Sequence, residues 1–146
     1  MTPRTGPARP WPTVILIRHA DVTPGAGDDP PLNAAGTVRA QELTHVLGDA
    51  GIAAIYVTSL RRTKATSQPL AAELALQPIV EDDPVLLVEA IHARAGTTTV
   101  LVVGHTNTIP DVIARLGGDA VAPIAATEFD RLLVLSSGRI CTLRYG

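Results

Sequence analysis

Apolar residues fall along the chain in short blocks, and their spacing changes from block to block. The first block, Thr13 to Ile17, is an unbroken β-branched and aliphatic run ending in Arg18-His19. Without polar alternation it reads as a strand buried on both faces, as in a parallel sheet covered by helices. From Ala20 to Leu32, Gly, Pro and Asp dominate. That composition suits neither helix nor strand and marks a long loop of the kind that often carries function. Asn33 is placed to N-cap a helix reaching about Asp49, with Val38, Leu43, Val46, Leu47 and Ala50 as its apolar stripe. Gly51 is its expected C′ residue.

The pattern then repeats. Ile52 to Val57 reads as a second strand, followed by Thr58-Ser59 as an N-cap and a helix carrying Arg61, Arg62 and Lys64. Pro69 is expected to kink or divide that helix, which resumes through Leu76. Ile79-Val80 is a brief strand, and Asp83-Pro84 opens a helix reaching about Ala95, closed by Gly96. Thr98 to Val103 is a strongly β-prone strand ending in Gly104-His105. Thr106-Asn107 is expected to cap a helix that runs to Leu116 and stops at Gly117-Gly118. Asp119 to Thr127 reads as loop. Arg131 to Ser136 and Arg139 to Arg144 form a hairpin around Ser137-Gly138. Alternating strands and helices predict an α/β fold: a three-layer α/β/α sandwich with a mainly parallel sheet and a C-terminal antiparallel hairpin.

Composition narrows the function classes. With 146 residues the chain fits one domain, residues 13–146, behind a Pro-rich leader over residues 1–12 that is expected to be disordered. A net charge of −2 without a basic stripe argues against nucleic-acid or membrane-surface partners. Cys141 is the single cysteine, so no internal disulfide forms. Before Arg18 there is no apolar segment of the signal-peptide kind, which gives a cytoplasmic expectation.

The polar residues at strand ends carry the chemistry. His19, Arg62 and His105 each lie at a strand-to-helix junction, and in a parallel sheet those junctions share one edge. Arg18 and the start of the helix after His105 stand beside them. Two Arg, two His and a helix N-terminus suit a dianion, and a phosphate monoester is one near neutral pH. His19 could attack phosphorus while Arg18, Arg62 and His105 hold its oxygens. Thr23 and Thr106 are further candidates to bind phosphate, and Arg61 competes with Arg62. The run Glu81-Asp82-Asp83 reads as a solvated turn and helix N-terminal charge. Glu128-Phe129-Asp130 reads as a lead into the hairpin. His45 and His92 read as surface or helix-face residues, and no pair of histidines has zinc-ligand spacing.

Together these residues resemble the histidine phosphatase superfamily, also called phosphoglycerate mutase-like. Arg18-His19-Ala20 matches its Arg-His-Gly/Ala hallmark, and Leu32-Asn33-Ala34-Ala35-Gly36 its helix-opening segment. Thr58 to Thr66 is similar to the segment that supplies the pocket arginine, here Arg62. Leu101 to His105 is similar to its Val-x-Val-Gly-His strand. The resemblance implies a phosphomonoester hydrolase with a phosphohistidine on His19, needing neither metal nor organic cofactor. It implies a small phosphorylated substrate or a phosphoprotein. The insertion that carries an acidic donor in the longer mutases is absent, leaving only Ile79 to Pro84, so the resemblance implies a proton donor among Glu81, Asp82 and Asp83, with Glu81 or Asp82 favoured. A compact phosphatase is therefore expected over a mutase-type phosphotransferase, with a non-catalytic phosphate-binding protein as the other alternative.

Overall fold

The computed structural model describes residues 11–146. Most of the expected leader therefore lies outside the described residues; Trp11 is within them and stacks on His92, ring centroids 4.3 Å apart. Six strands form one sheet: β1 (Thr13–Arg18), β2 (Ile52–Val57), β3 (Ile79–Val80), β4 (Thr99–Gly104), β5 (Arg131–Ser136) and β6 (Arg139–Arg144). Their order is β3-β2-β4-β1-β5-β6. The first four run parallel to their neighbours, and β5 and β6 add the antiparallel edge.

Helices α1 (Ala34–Leu47), α2 (Arg61–Leu74), α3 (Pro84–His92) and α4 (Thr108–Arg115) make the outer layers. Because side chains alternate along a strand, β1 feeds both layers. Ile15 and Ile17 join Leu43, Leu47 and Leu70 from α1 and α2. Val14 and Leu16 join Leu87, Ile91, Ile109 and Ile113 from α3 and α4. That two-sided burial is why the first strand reads as a continuous apolar run. Each fully buried Leu or Ile there would cost about 2–5 kcal/mol on truncation to Ala.

Local chemistry explains several element ends. Asn33 caps α1 by accepting from the Gly36 N–H at 2.9 Å, and Asp83 caps α3 through the Val85 N–H at 2.9 Å. Ser137 and Gly138 have φ of 52° and 80°, as a two-residue hairpin of the primed type requires.

Other expectations are corrected. The buried face of α1 is Gly36, Ala40, Leu43 and Leu47, while Val38 and Val46 are 62% and 42% exposed and Ala50 lies beyond the helix. Small residues are selected here because α1 approaches its neighbours closely: a Cβ on Gly36 would run into the Asp21 backbone, 2.9 Å from its nitrogen. α1 ends at Leu47 with Gly48 as its cap, so Gly51 is not its C′ residue. Pro69 does not divide α2 into two helices; the helix runs through it to Leu74, and Ala75 ends it in the left-handed region. The missing Pro N–H is tolerated because Leu70 and Ala71 beside it are held in the core. α3 stops at His92 rather than Ala95. Leu60 rather than Thr58 or Ser59 holds the cap position of α2, and Asn107 holds that of α4 as expected, in neither case with a side-chain bond.

Candidate active site

Strands β1 and β4 are paired in register, Arg18 opposite Gly104, so the residues that follow them emerge side by side. The His19 N–H donates to the Gly104 carbonyl at 2.9 Å, locking the two turns together. The rings of His19 and His105 then face one another, centroids 5.4 Å apart.

His19 is 4% exposed. Its Nδ1 lies 2.8 Å from the Ala20 carbonyl oxygen. A carbonyl only accepts, so Nδ1 carries the proton and the neutral ring keeps its lone pair on Nε2. Burial pushes its pKa down to about 4; the Ala20 carbonyl opposes this, and the charges of Arg18, His105 and Arg62 add to it. The turn is fixed from the other side by Thr66, whose hydroxyl accepts from the Ala20 N–H at 2.8 Å.

His105 is held through opposite atoms. Its backbone N–H donates to Thr108 Oγ1 at 2.9 Å, and its Nε2 lies 3.0 Å from Thr58 Oγ1. Its pKa is also pushed down to about 4, by burial first and then by Arg62 and Arg18.

Of the two neighbouring arginines, Arg62 turns inward, with its side chain 18% exposed, and Arg61 outward at 62%. Arg62 Nη1 donates to the Asp28 carbonyl at 3.3 Å and lies 4.0 Å from the Asp29 carboxylate. Asp29 also accepts from the Arg61 N–H at 3.0 Å, so the loop supplies the N-terminal cap that Leu60 cannot. Arg18 is part-buried. Its Nη1 faces the carbonyls of Ala125, Ala126 and Glu128 at 3.3, 2.8 and 2.9 Å, and its guanidinium carbon lies 4.0 Å from the centre of the Phe129 ring. Burial and the charge of Arg62 lower its pKa.

The remaining candidates are placed less centrally. Thr106 follows His105 and is half-buried; Thr23 is exposed in the long loop, its carbonyl closing a turn onto Ala26. Asp21 orders that loop through Arg39, Nε to Oδ1 at 2.6 Å. Glu81 accepts from the Asp83 N–H at 3.1 Å. Asp82 accepts from the Ser59 N–H at 2.7 Å, and hydrogen bonds from Ser59 hold its carboxyl below the usual range. A general acid needs the reverse shift.

Sequence reasoning missed Thr58, Asp29, Glu128 and Phe129. In sequence Thr58 reads as a helix cap, and the others contact the site only across loops remote in the chain. That Phe129 is the single phenylalanine was the one signal available. Among the described residues no group of three or more His, Cys, Asp or Glu side chains could hold a metal ion.

Residues 14–84 match the family model for the histidine phosphatase superfamily, branch 1. No curated protein matches the chain in sequence. In structure the chain is similar to the protein histidine phosphatase SixA solved with tungstate, at 20% identity and a TM-score of 0.71, covering 91% of this chain and 95% of that one. It is similar to a mycobacterial glucosyl-3-phosphoglycerate phosphatase, at 15% identity and a TM-score of 0.72, covering 94% and 99%. It is also similar to the alpha-ribazole phosphatase of Shigella flexneri, at 13% identity and a TM-score of 0.64, covering 91% and 95%. Three of the hallmark segments, those holding His19, Asn33 and Arg62, lie inside the matched residues, and over that stretch the chain is similar to the histidine phosphatase superfamily.

Proposed function

We propose that the protein is a phosphomonoester hydrolase that works through a phosphohistidine on His19 and needs no metal. The observation that carries this is the pair of facing imidazoles, one with Nδ1 pinned to a carbonyl so that Nε2 is free to attack. The structural neighbours are phosphatases, and SixA was solved with an oxyanion, tungstate.

In the first step the His19 Nε2 lone pair forms a bond to phosphorus, and the bond from phosphorus to the leaving oxygen breaks. In the second, water attacks phosphorus, the P–N bond breaks and its electron pair returns to Nε2, releasing orthophosphate. A depressed pKa keeps His19 neutral, hence nucleophilic, at physiological pH. Arg18, Arg62 and the protonated form of His105 that a bound dianion favours would hold the equatorial oxygens and stabilise charge there. Thr106, next in sequence to His105, is the further residue proposed to bind phosphate. Asp82 is held ionised, which leaves Glu81 or solvent to protonate the leaving oxygen.

The test is hydrolysis of p-nitrophenyl phosphate in EDTA. Turnover should persist, disappear in His19→Ala, and pass through an acid-labile, base-stable phosphoenzyme. Strict dependence on added metal would refute the mechanism. Phosphate binding without turnover across a monoester panel would favour a binding protein instead, and transfer of phosphate within the substrate would favour a mutase.

A further inference from the structure

The segment between α4 and β5 is built around Arg18 in a way the phosphate chemistry alone does not require. Nη1 of Arg18 has three backbone carbonyls within 3.3 Å, from Ala125, Ala126 and Glu128, so its protons are spoken for. The face of the guanidinium lies on the Phe129 ring, which is also 6.0 Å from the His19 ring between centroids. Nε is buried and has no hydrogen-bond partner among the described residues. One edge and one face of the fork are therefore occupied by protein. A buried N–H with nothing to donate to is costly unless a ligand supplies the acceptor.

What holds the segment in place is a second set of charges. The Glu128 carboxylate accepts from Arg131 Nε and Nη2, both at 2.8 Å, and from Arg144 Nη1 at 2.6 Å. Arg131, only 9% exposed, also donates to the carbonyls of Ala122 and Pro123. Arg131 and Arg144 are a register pair at the base of the β5–β6 hairpin. The last two strands thus anchor Glu128, Glu128 anchors the loop, and the loop grips Arg18.

We propose that Glu128 and Phe129 are positioning residues that aim the Nε edge of Arg18 at the substrate's phosphoryl oxygens. This rests on the phosphatase reading of the site. Neither residue touches the substrate; each acts through the guanidinium, Phe129 by stacking and Glu128 by fixing the carbonyls that hold Nη1. Bidentate recognition of phosphate depends on fork orientation, so a loosened clamp weakens anion binding without removing a charge from the pocket.

The experiment is a double-mutant cycle read by orthovanadate affinity and by kcat/KM on p-nitrophenyl phosphate. Phe129→Leu and Glu128→Gln should each weaken both by about tenfold with Arg18 present, and by less than about twofold in an Arg18→Ala background. Phe129→Tyr, which keeps the ring, should restore both. Equal losses in the two backgrounds would mean a general structural role, and no loss in the Arg18 background would mean no role; either overturns the clamp. Failure of the unaltered protein to bind orthovanadate or turn over substrate would instead bring down the phosphatase reading, and the clamp with it. Thermal melts of each variant separate misfolding from misaimed binding. Should Glu128→Gln unfold, the Phe129 arm alone decides.

Discussion

The two turns that carry the histidines leave adjacent parallel strands at the same register, yet they fix their rings through opposite nitrogens. After β1 the ring is held at Nδ1 by the carbonyl of the next residue, a contact built into one turn. After β4 the ring is held at Nε2 by Thr58, contributed by the turn after β2. The first arrangement leaves a lone pair on the nitrogen farther from the backbone. The second occupies Nε2 instead. Neighbouring positions on one sheet edge can therefore be assigned different chemical tasks by which atom is restrained, even where burial depresses both pKa values alike.

The strongest break of this comparison is removal of each ring. His19→Ala should abolish turnover, by at least about a thousandfold, with no trapped phosphoenzyme. His105→Ala should cost about a hundredfold while a phosphoenzyme still forms, as expected for a group that stabilises charge without being the nucleophile. Acid quench with radiolabelled substrate distinguishes them, and a phosphoenzyme surviving in His19→Ala would reverse the assignment.

A second break acts on the first turn alone. Gly36→Ala drives a methyl into the Asp21 backbone, two residues after His19, where no flexible side chain can yield. A loss of about 1–3 kcal/mol in chemical denaturation is expected, with turnover falling further than stability because the His19 turn moves. Wild-type stability and activity in this variant would show that the close approach is unimportant.

Thr58→Val tests the second turn. It removes the hydroxyl from His105 Nε2 while keeping shape, and should lower kcat/KM by about tenfold without affecting the stability of the phosphoenzyme. An unchanged kcat/KM would make Thr58 a bystander.

The smallest effect is on stability with pH. Both rings have folded pKa values of about 4, below the unfolded value of about 6.5. Between these values the unfolded chain binds more protons, so stability is complete above about pH 6.5 and falls as pH drops toward 4. Glu128, held at about 2 by Arg144 first, adds to the fall only at the acid end of this window, from near its ordinary value of 4.5 downward. Melting temperature against pH should show this fall, shallower in His105→Gln; a flat profile between 4 and 6.5 would contradict the shared depression.

The sheet was legible because its signal is local. A run such as Val14-Ile15-Leu16-Ile17 admits few environments, and Asn33, Asp83 and Ser137-Gly138 each specify their turn within four residues. His19 and His105 could be brought together on paper since parallel strands share an edge. The α1 face was misread because Val38 outranks Ala40 in hydrophobicity, whereas close approach selected the smaller side chain. The partners of the site, Thr58 for His105 and Phe129 for Arg18, were hidden for another reason. Each contact joins segments at least 47 residues apart, and no local pattern records it.

Strand β1 has a hydrogen-bonded neighbour on either side, β4 and β5, along nearly its full length. Displacing the backbone at His19 would mean breaking two ladders at once, so the nitrogen proposed to attack phosphorus is in effect bolted to the frame. Adaptation to a new leaving group, by evolution or by engineering, then has to happen at the rim. Residues 22–31, which are mostly exposed and outside the sheet, are where such changes come at the least cost to the rest of the protein.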